Sequence, residues 1–227
     1  FNKKEVRQAL YHGIDRQGVL DMVADGKGEI IGSNMFPGFT KYYNGDLASL
    51  YDYDPQKAKS LLNDAGYPDG FTFTITVPSN YPYHVDTAQV IVEQLKQIGV
   101  DATIKQVEWA TWLSDVYSSR DYESTIIGLD AKLAPRNVLE RYQSSASGNF
   151  VNYDNENFDK VFEKAIRTTD DSEKVAFYME LQEILAEDAA SIYLQDPSLL
   201  VAVNKELGGY TFYPVYVQDM SKVYYKE

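Results

Sequence analysis

Between Phe71 and Asp130 the spacing of apolar positions switches back and forth between two periods, and the switches mark out a strand, a helix, a strand, a helix and a strand. Phe71, Phe73, Ile75 and Val77 alternate with Thr72, Thr74 and Thr76, the two-residue period of a half-buried strand. From Asp86 to Ile98, Ala88, Ile91, Leu95 and Ile98 recur at spacings of three and four, and Gly99 stands where a left-handed helix cap belongs. Val100, Ala102 and Ile104 then alternate with Asp101, Thr103 and Lys105. Such a β-α-β unit crosses over right-handed and sets its strands parallel. Trp109, Trp112, Leu113, Val116 and Tyr117 give a second helix one apolar face, and Tyr122 to Leu129 reads as a third strand. Open α/β sheets hold ligands beyond the carboxyl ends of their strands. Gly128, Leu129 and Asp130 are therefore the first candidate site.

The flanks are helical before this unit and mixed after it. Asn2 and Glu5 have the spacing of a capping box opening a helix through Tyr11, and a second helix runs from Asp15 to Gly26. Gly26 to Gly32 has glycines, but it follows a helix and has one residue too many for a dinucleotide loop, so it reads as a turn into an extended segment. Asp54-Pro55 caps a helix carrying Ala58, Leu61, Leu62 and Ala65 and closed by Gly66. Beyond Asp130, Pro135 opens a short helix, Ser144 to Gly148 is a small-residue loop, and amphipathic helices carry Phe158, Val161, Phe162 and Val175, Met179, Leu185. From Ser191 on, strand-like runs at 192–194, 199–203, 215–217 and 223–225 are broken by Pro197, Gly208-Gly209 and Pro214.

Charge and residue usage narrow the chemistry. Net charge is −13, which repels nucleic acid and anionic membrane surfaces in the absence of a basic patch, and the sequence has none. Zero cysteine removes disulfides and thiolate chemistry. The 19 tyrosines suit wet recognition surfaces, each offering a flat apolar body with a polar tip. No nucleophile elbow, HExxH or phosphate loop is present. His12 and His84 read as surface or packing residues, and Asp52/Asp54 and Asp154/Glu156 as caps and turns. No cofactor is expected, and a binding role is favoured over a hydrolase, while a surface-adhesion or interaction module, which is equally acidic, tyrosine-rich and motif-free, stays open. The opening at Phe1, without methionine, leader or lipidation motif, reads as that of a processed or truncated piece.

Motif order then adds a resemblance. Val6-Arg7-Gln8-Ala9-Leu10 with Ile14-Asp15-Arg16, Tyr53-Asp54-Pro55 with Leu61-Leu62, and Ala65-Gly66-Tyr67-Pro68-Asp69-Gly70-Phe71 come first. Gln94-Leu95-Lys96-Gln97-Ile98-Gly99-Val100, Asn149 with Tyr153, Phe158-Asp159, Asp170-Asp171 and Gly208-Gly209-Tyr210 follow. In this order the chain resembles the C-terminal half of the extracytoplasmic oligopeptide and dipeptide solute-binding proteins of bacterial ABC importers. The resemblance implies an α/β second lobe of a periplasmic-binding-protein fold, a mixed sheet flanked by helices, with C-terminal strands returning toward a missing first lobe. It divides the chain into a ligand-binding lobe, 1–193, and hinge and return strands, 194–227. It implies a monomer on the bacterial surface, lipid-anchored through a missing segment, or in the periplasm, passing short peptides to permease subunits. Some members of the fold carry oligosaccharides or other small solutes, and that alternative stays open. Family peptide binders place a Gly-Trp pair and, three residues later, an aspartate for the peptide amino terminus. Those positions here are Ile127, Gly128 and Ala131, with Asp130 one residue early. Asn149 and Phe150 match a cleft-lining stretch, and Gln195 and Asp196 end the strand nearest the hinge.

Overall fold

The computed structural model describes residues 1–130, 132–213 and 218–226. Helix α1 (Lys4–Gly13) buries Val6, Ala9 and Leu10 on one side, spaced to share a helix face. The expected capping box does not form: Lys3 is the N-cap and no side chain caps the turn. The leading residues are held differently, with the carbonyls of Phe1 and Asn2 accepting from Arg7 Nη1 and the Phe1 ring edge-on to Phe71 and Phe73. Helix α2 (Arg16–Ala24) starts on Asp15, whose carboxylate accepts the Gly18 N–H. The glycine segment after it is a turn into β1 (Gly28–Ile30). Helix α3 (Pro55–Asp64) is capped by Asp54, which accepts from the N–H groups of Gln56 and Lys57.

Strand β2 (Thr72–Pro78), helix α4 (Pro82–Lys96) and strand β3 (Asp101–Val107) form the expected β-α-β unit, with β2 and β3 parallel from Thr72↔Asp101 to Pro78↔Val107. The two strands begin so close together that a Cβ on Gly70, at φ +74°, would lie within 1.8 Å of the Gly99 carbonyl oxygen. Only glycine fits there. After β3 the chain enters helix α5 (Trp109–Thr111), which widens into a π-helix over Trp112–Ser118 and buries Trp112 and Val116.

The third strand is much shorter than its apolar run suggests. Only Ser124–Thr125 pairs, as β4, parallel to β2 in the order β3-β2-β4. The cause lies in β2. Ser79 N–H points to β3 and Thr74 N–H points to the β4 side, where it meets Glu123 Oε2, so alternation aims position 78 toward β4. That residue is Pro78, which has no N–H, and the ladder stops.

Helix α6 (Pro135–Leu139) continues as one tight turn, Glu140–Tyr142. Helices α7 (Glu156–Arg167) and α8 (Asp171–Glu187) are capped by Asn155 and Asp170. Phe158, Phe162, Leu181 and Leu185 are fully buried between these helices and their neighbours. Each such side chain contributes on the order of 2–3 kcal/mol by leaving water. A separate cluster joins α1 to α4 with the sheet through Leu10, Leu62, Val77, Leu95 and Val100.

The tail departs from the expected strands. Ile192 to Leu194 is not a strand, because Tyr11 Oη takes both backbone groups of Tyr193, accepting its N–H and donating to its carbonyl. Strand β5 (Gln195–Pro197) follows, antiparallel to β1, and β6 (Leu207–Gly208) pairs with β7 (Tyr224–Tyr225). Residues 199–203 are exposed and form no strand, and the expected strand at 215–217 falls outside the described residues except for its flanks. Among the described residues, none beyond Tyr193 is buried.

Candidate functional site

Beyond Thr125 the chain leaves the sheet, and Gly128, Leu129 and Asp130 stand exposed at its carboxyl edge. Ala131, at the position expected for the aspartate, lies outside the described residues. What positions this strand end is the first turn of α4. The Gly128 N–H donates to His84 Nε2 at 3.1 Å, so the ring is neutral with its proton on Nδ1. Burial holds the His84 pKa below the ordinary imidazole value of 6.5, which keeps the acceptor nitrogen free of a proton. A Cβ on Gly128 would meet His84 Cε1 at 3.1 Å, so the small residue permits the close approach.

An aromatic wall extends from there. Tyr81 is edge-on to Trp109, Trp109 stacks on Trp112 with centroids 5.1 Å apart, and Phe150 touches Trp112 and Tyr117. The wall is fixed to the sheet by Trp112 Nε1, which donates to Thr125 Oγ1 at 3.0 Å, while that hydroxyl donates to the Thr76 carbonyl. Phe150 is buried and its carbonyl accepts from Tyr122 Oη. Asn149 is also buried, and its amide is occupied internally: Nδ2 donates to the carbonyls of Gln143 and Tyr153, and Oδ1 accepts the Tyr153 N–H. It therefore clamps the loop that presents Phe150.

Gln195 and Asp196 lie on β5, and Gln195 reaches the same turn of α4 from another side. Gln195 Nε2 donates to Tyr83 Oη at 2.8 Å, and the Tyr83 ring is edge-on to His84. Gln195 Oε1 is buried with no partner among the described residues. Asp196 sits directly opposite Glu29 in the β1–β5 ribbon, and burial, then that like charge, pushes its carboxyl above the ordinary range. The structure thus joins Gly128 to Gln195 through His84 and Tyr83, and joins the strand end to Phe150 through the tryptophans.

The sequence pattern by itself does not mark Tyr81, Tyr83, His84 and Trp109 for this role. A usable signal exists: they follow β2 and β3 directly, at the same carboxyl ends that flagged Gly128. His12, by contrast, is a packing residue, its Nδ1 2.7 Å from the Asp52 carbonyl oxygen. Among the described residues no three His, Cys, Asp or Glu side chains group to hold a metal ion. Chemically, the site offers exposed backbone, flat aromatic faces and neutral hydrogen-bonding groups.

Comparison with known proteins places this arrangement. The family described as "Bacterial extracellular solute-binding proteins, family 5 Middle" matches residues 1–150. The oligopeptide-binding protein AppA of Bacillus subtilis is 27% identical over 229 residues, covering 94% of this chain and 42% of its own length. The periplasmic binding protein DppA of Helicobacter pylori, solved in complex with the peptide STSA, superposes with a TM-score of 0.85 at 28% identity, covering 100% of this chain and 44% of that one. The substrate binding protein CtaP of Listeria monocytogenes gives a TM-score of 0.89 at 29% identity, covering 99% and 47%. The chain spans less than half the length of these relatives. With two thirds of its residues matched and its whole length superposed, it belongs to family 5 of the bacterial extracellular solute-binding proteins.

Proposed function

We propose that the chain supplies the second lobe of a two-lobed clamp that captures short peptides and hands them to the permease subunits of an ABC importer. The observation that carries this reading is the superposition of the entire chain on under half of a binding protein solved with a peptide. The exposed strand end 128–130 beside an aromatic wall fits it physically. Main-chain pairing along an extended ligand gives affinity without reading its side chains, and wet tyrosine-rich surroundings tolerate many of them. In this reading Gly128, Leu129 and Asp130 offer backbone groups, Tyr81, Trp109 and Tyr117 form a side-chain wall packed against the buried Trp112 and Phe150, Asn149 holds the loop, and Gln195 and Asp196 lie at the hinge. Residues 194–227 belong partly to the other lobe. Leu199, Leu200, Phe212 and Tyr225 are 64, 63, 61 and 76% exposed, which suits side chains awaiting a covering surface. The protein works outside the cytoplasm, as a monomer, anchored by lipid or free in the periplasm, and binds without turnover.

Thermal denaturation of the intact protein with a library of short peptides tests this. A ligand at a hundred times its Kd adds about 2.7 kcal/mol and raises the midpoint by several degrees. No shift across the library sinks the peptide reading, a shift with oligosaccharides alone moves the ligand class, and release of peptide fragments shows a hydrolase.

A further inference from the structure

A cavity of about 350 Å³ opens between the wide helix and the loop after α6, with Tyr117, Asn137, Glu140, Arg141, Gln143 and Ser147 in its lining. Its charge is one-sided. Glu140 is the one acid in that lining, and its Oε2 already lies 3.5 Å from Arg136 Nε. Arg141 takes part in none of the ion pairs among the described residues, and its Nε is buried without a hydrogen-bond partner there. A guanidinium stays charged and presents a planar fork of N–H donors, and with Nε enclosed the terminal N–H groups are the ones an incoming acceptor reaches. The acceptor that matches this fork is a carboxylate, which takes two parallel N–H bonds. Asn137, Gln143 and Ser147 add amide and hydroxyl donors around the same space.

The cavity is continuous with the wall described above. The Tyr117 ring lies 5.6 Å from Phe150, and a Cβ on Gly148 would stand 3.4 Å from Tyr117 Oη, so loop and helix meet at this residue. Gln143 is tied to the loop through its carbonyl, which accepts from Asn149. We propose that the Arg141 cavity receives a carboxylate of the bound ligand, from an acidic side chain or from a free carboxyl terminus. This rests on the ligand-binding reading and names a specificity that the reading leaves open.

Calorimetric titration of the intact protein tests it, using tri- and tetrapeptides matched in size: glutamate against glutamine at each position, and free carboxyl terminus against terminal amide. The wild type prefers one carboxylate-bearing member of a pair by about tenfold or more. Which pair shows the preference tells the side-chain source from the terminal one. Arg141→Gln lowers that preference to about twofold or less while the Kd of the uncharged member changes little, and Arg141→Lys, which keeps the charge without the fork, retains part of it. Unchanged preferences in both variants overturn the proposal. So does uniform weakening across all peptides, which marks a structural role. Binding of neutral peptides by the wild type with no preference in any pair overturns this proposal and leaves the peptide reading standing, whereas no binding of any peptide sinks both.

Discussion

Around Arg16 and Asp188 the packed helices give both charged groups several partners, and Tyr193 Oη is the buried polar atom there without one among the described residues, while the carboxyl edge of β2, β3 and β4 leaves backbone groups and aromatic faces open. Arg16, 7% exposed, donates to four carbonyls, those of Ile31, Tyr193, Ala48 and Tyr51, and its guanidinium lies over the Tyr11 ring. Asp188 accepts from Tyr153, Asn155 and Lys4, and its carbonyl accepts from Arg7. At the other region Gln195 Oε1 and Arg141 Nε have no partner among the described residues, and Gly128 to Asp130 are exposed. A framework satisfies its buried polar groups internally because an unmatched one lowers stability. Apart from the Gly128 N–H, the exposed backbone of Gly128 to Asp130 has no such internal match among the described residues and is open to a partner from outside.

The contrast can be broken at its strong end first. Arg16→Ala strips four buried carbonyls of their donor and removes a packed side chain, so the urea midpoint should fall by the equivalent of about 4 kcal/mol. A loss below about 1 kcal/mol would show that the framework is not held as described. Asp188→Ala should cost about 2 kcal/mol at neutral pH. Burial alone would raise the Asp188 carboxyl, but hydrogen bonds from Tyr153, Asn155 and Lys4 outweigh it and hold it below its ordinary value of 3.8. Its contribution is therefore full above that value and is lost as the pH falls through the lowered one. Acid titration of stability should show a shallower fall below pH 3.8 in the variant than in the wild type.

The smallest effect sharpens the other end. His84 is neutral in the fold with its pKa lowered by burial, so the unfolded chain takes up a proton first as the pH drops below 6.5. Stability falls through that window down to the lowered pKa, by under about 1 kcal/mol because the ring is partly exposed and solvent screens its charge. Comparing melting curves of wild type and His84→Gln between pH 7 and 5 isolates it. An unchanged slope in the variant would remove His84 as the support of Gly128.

Much of the framework was legible because burial imposes periods on a sequence. The alternation in 71–77 and 100–105 and the three-and-four spacing in 88–98 gave β2, β3 and α4, and Asp54-Pro55 gave a helix start from a cap and a fixed φ. What escaped depends on partners distant in the chain. The third strand reads as eight residues by its own pattern, yet the missing N–H of Pro78, nearly fifty residues earlier, ends it after two. Tyr193 looks like strand and is occupied by a tyrosine 182 residues away. At the candidate site, Gly128 was found from strand polarity, but its partner His84 was not, because nothing local to either residue announces their hydrogen bond. Asn149 was marked as a lining residue by family resemblance, and its amide turns out to be directed into its own loop.

The widened helix at Trp112–Ser118 has a consequence for how such a site changes over generations. A π-helix closes its bonds at i→i+5, one residue more per ring than its α-helical neighbours. Loss of one residue from the segment would restore the ordinary ladder and turn the remaining helical residues by roughly 100° about the axis. Tyr117, the ring shared by the aromatic wall and the arginine-lined cavity, would swing away from Phe150 while Trp112, held to Thr125, stayed in place. A single deletion, with no side chain exchanged, would thus redraw the cavity.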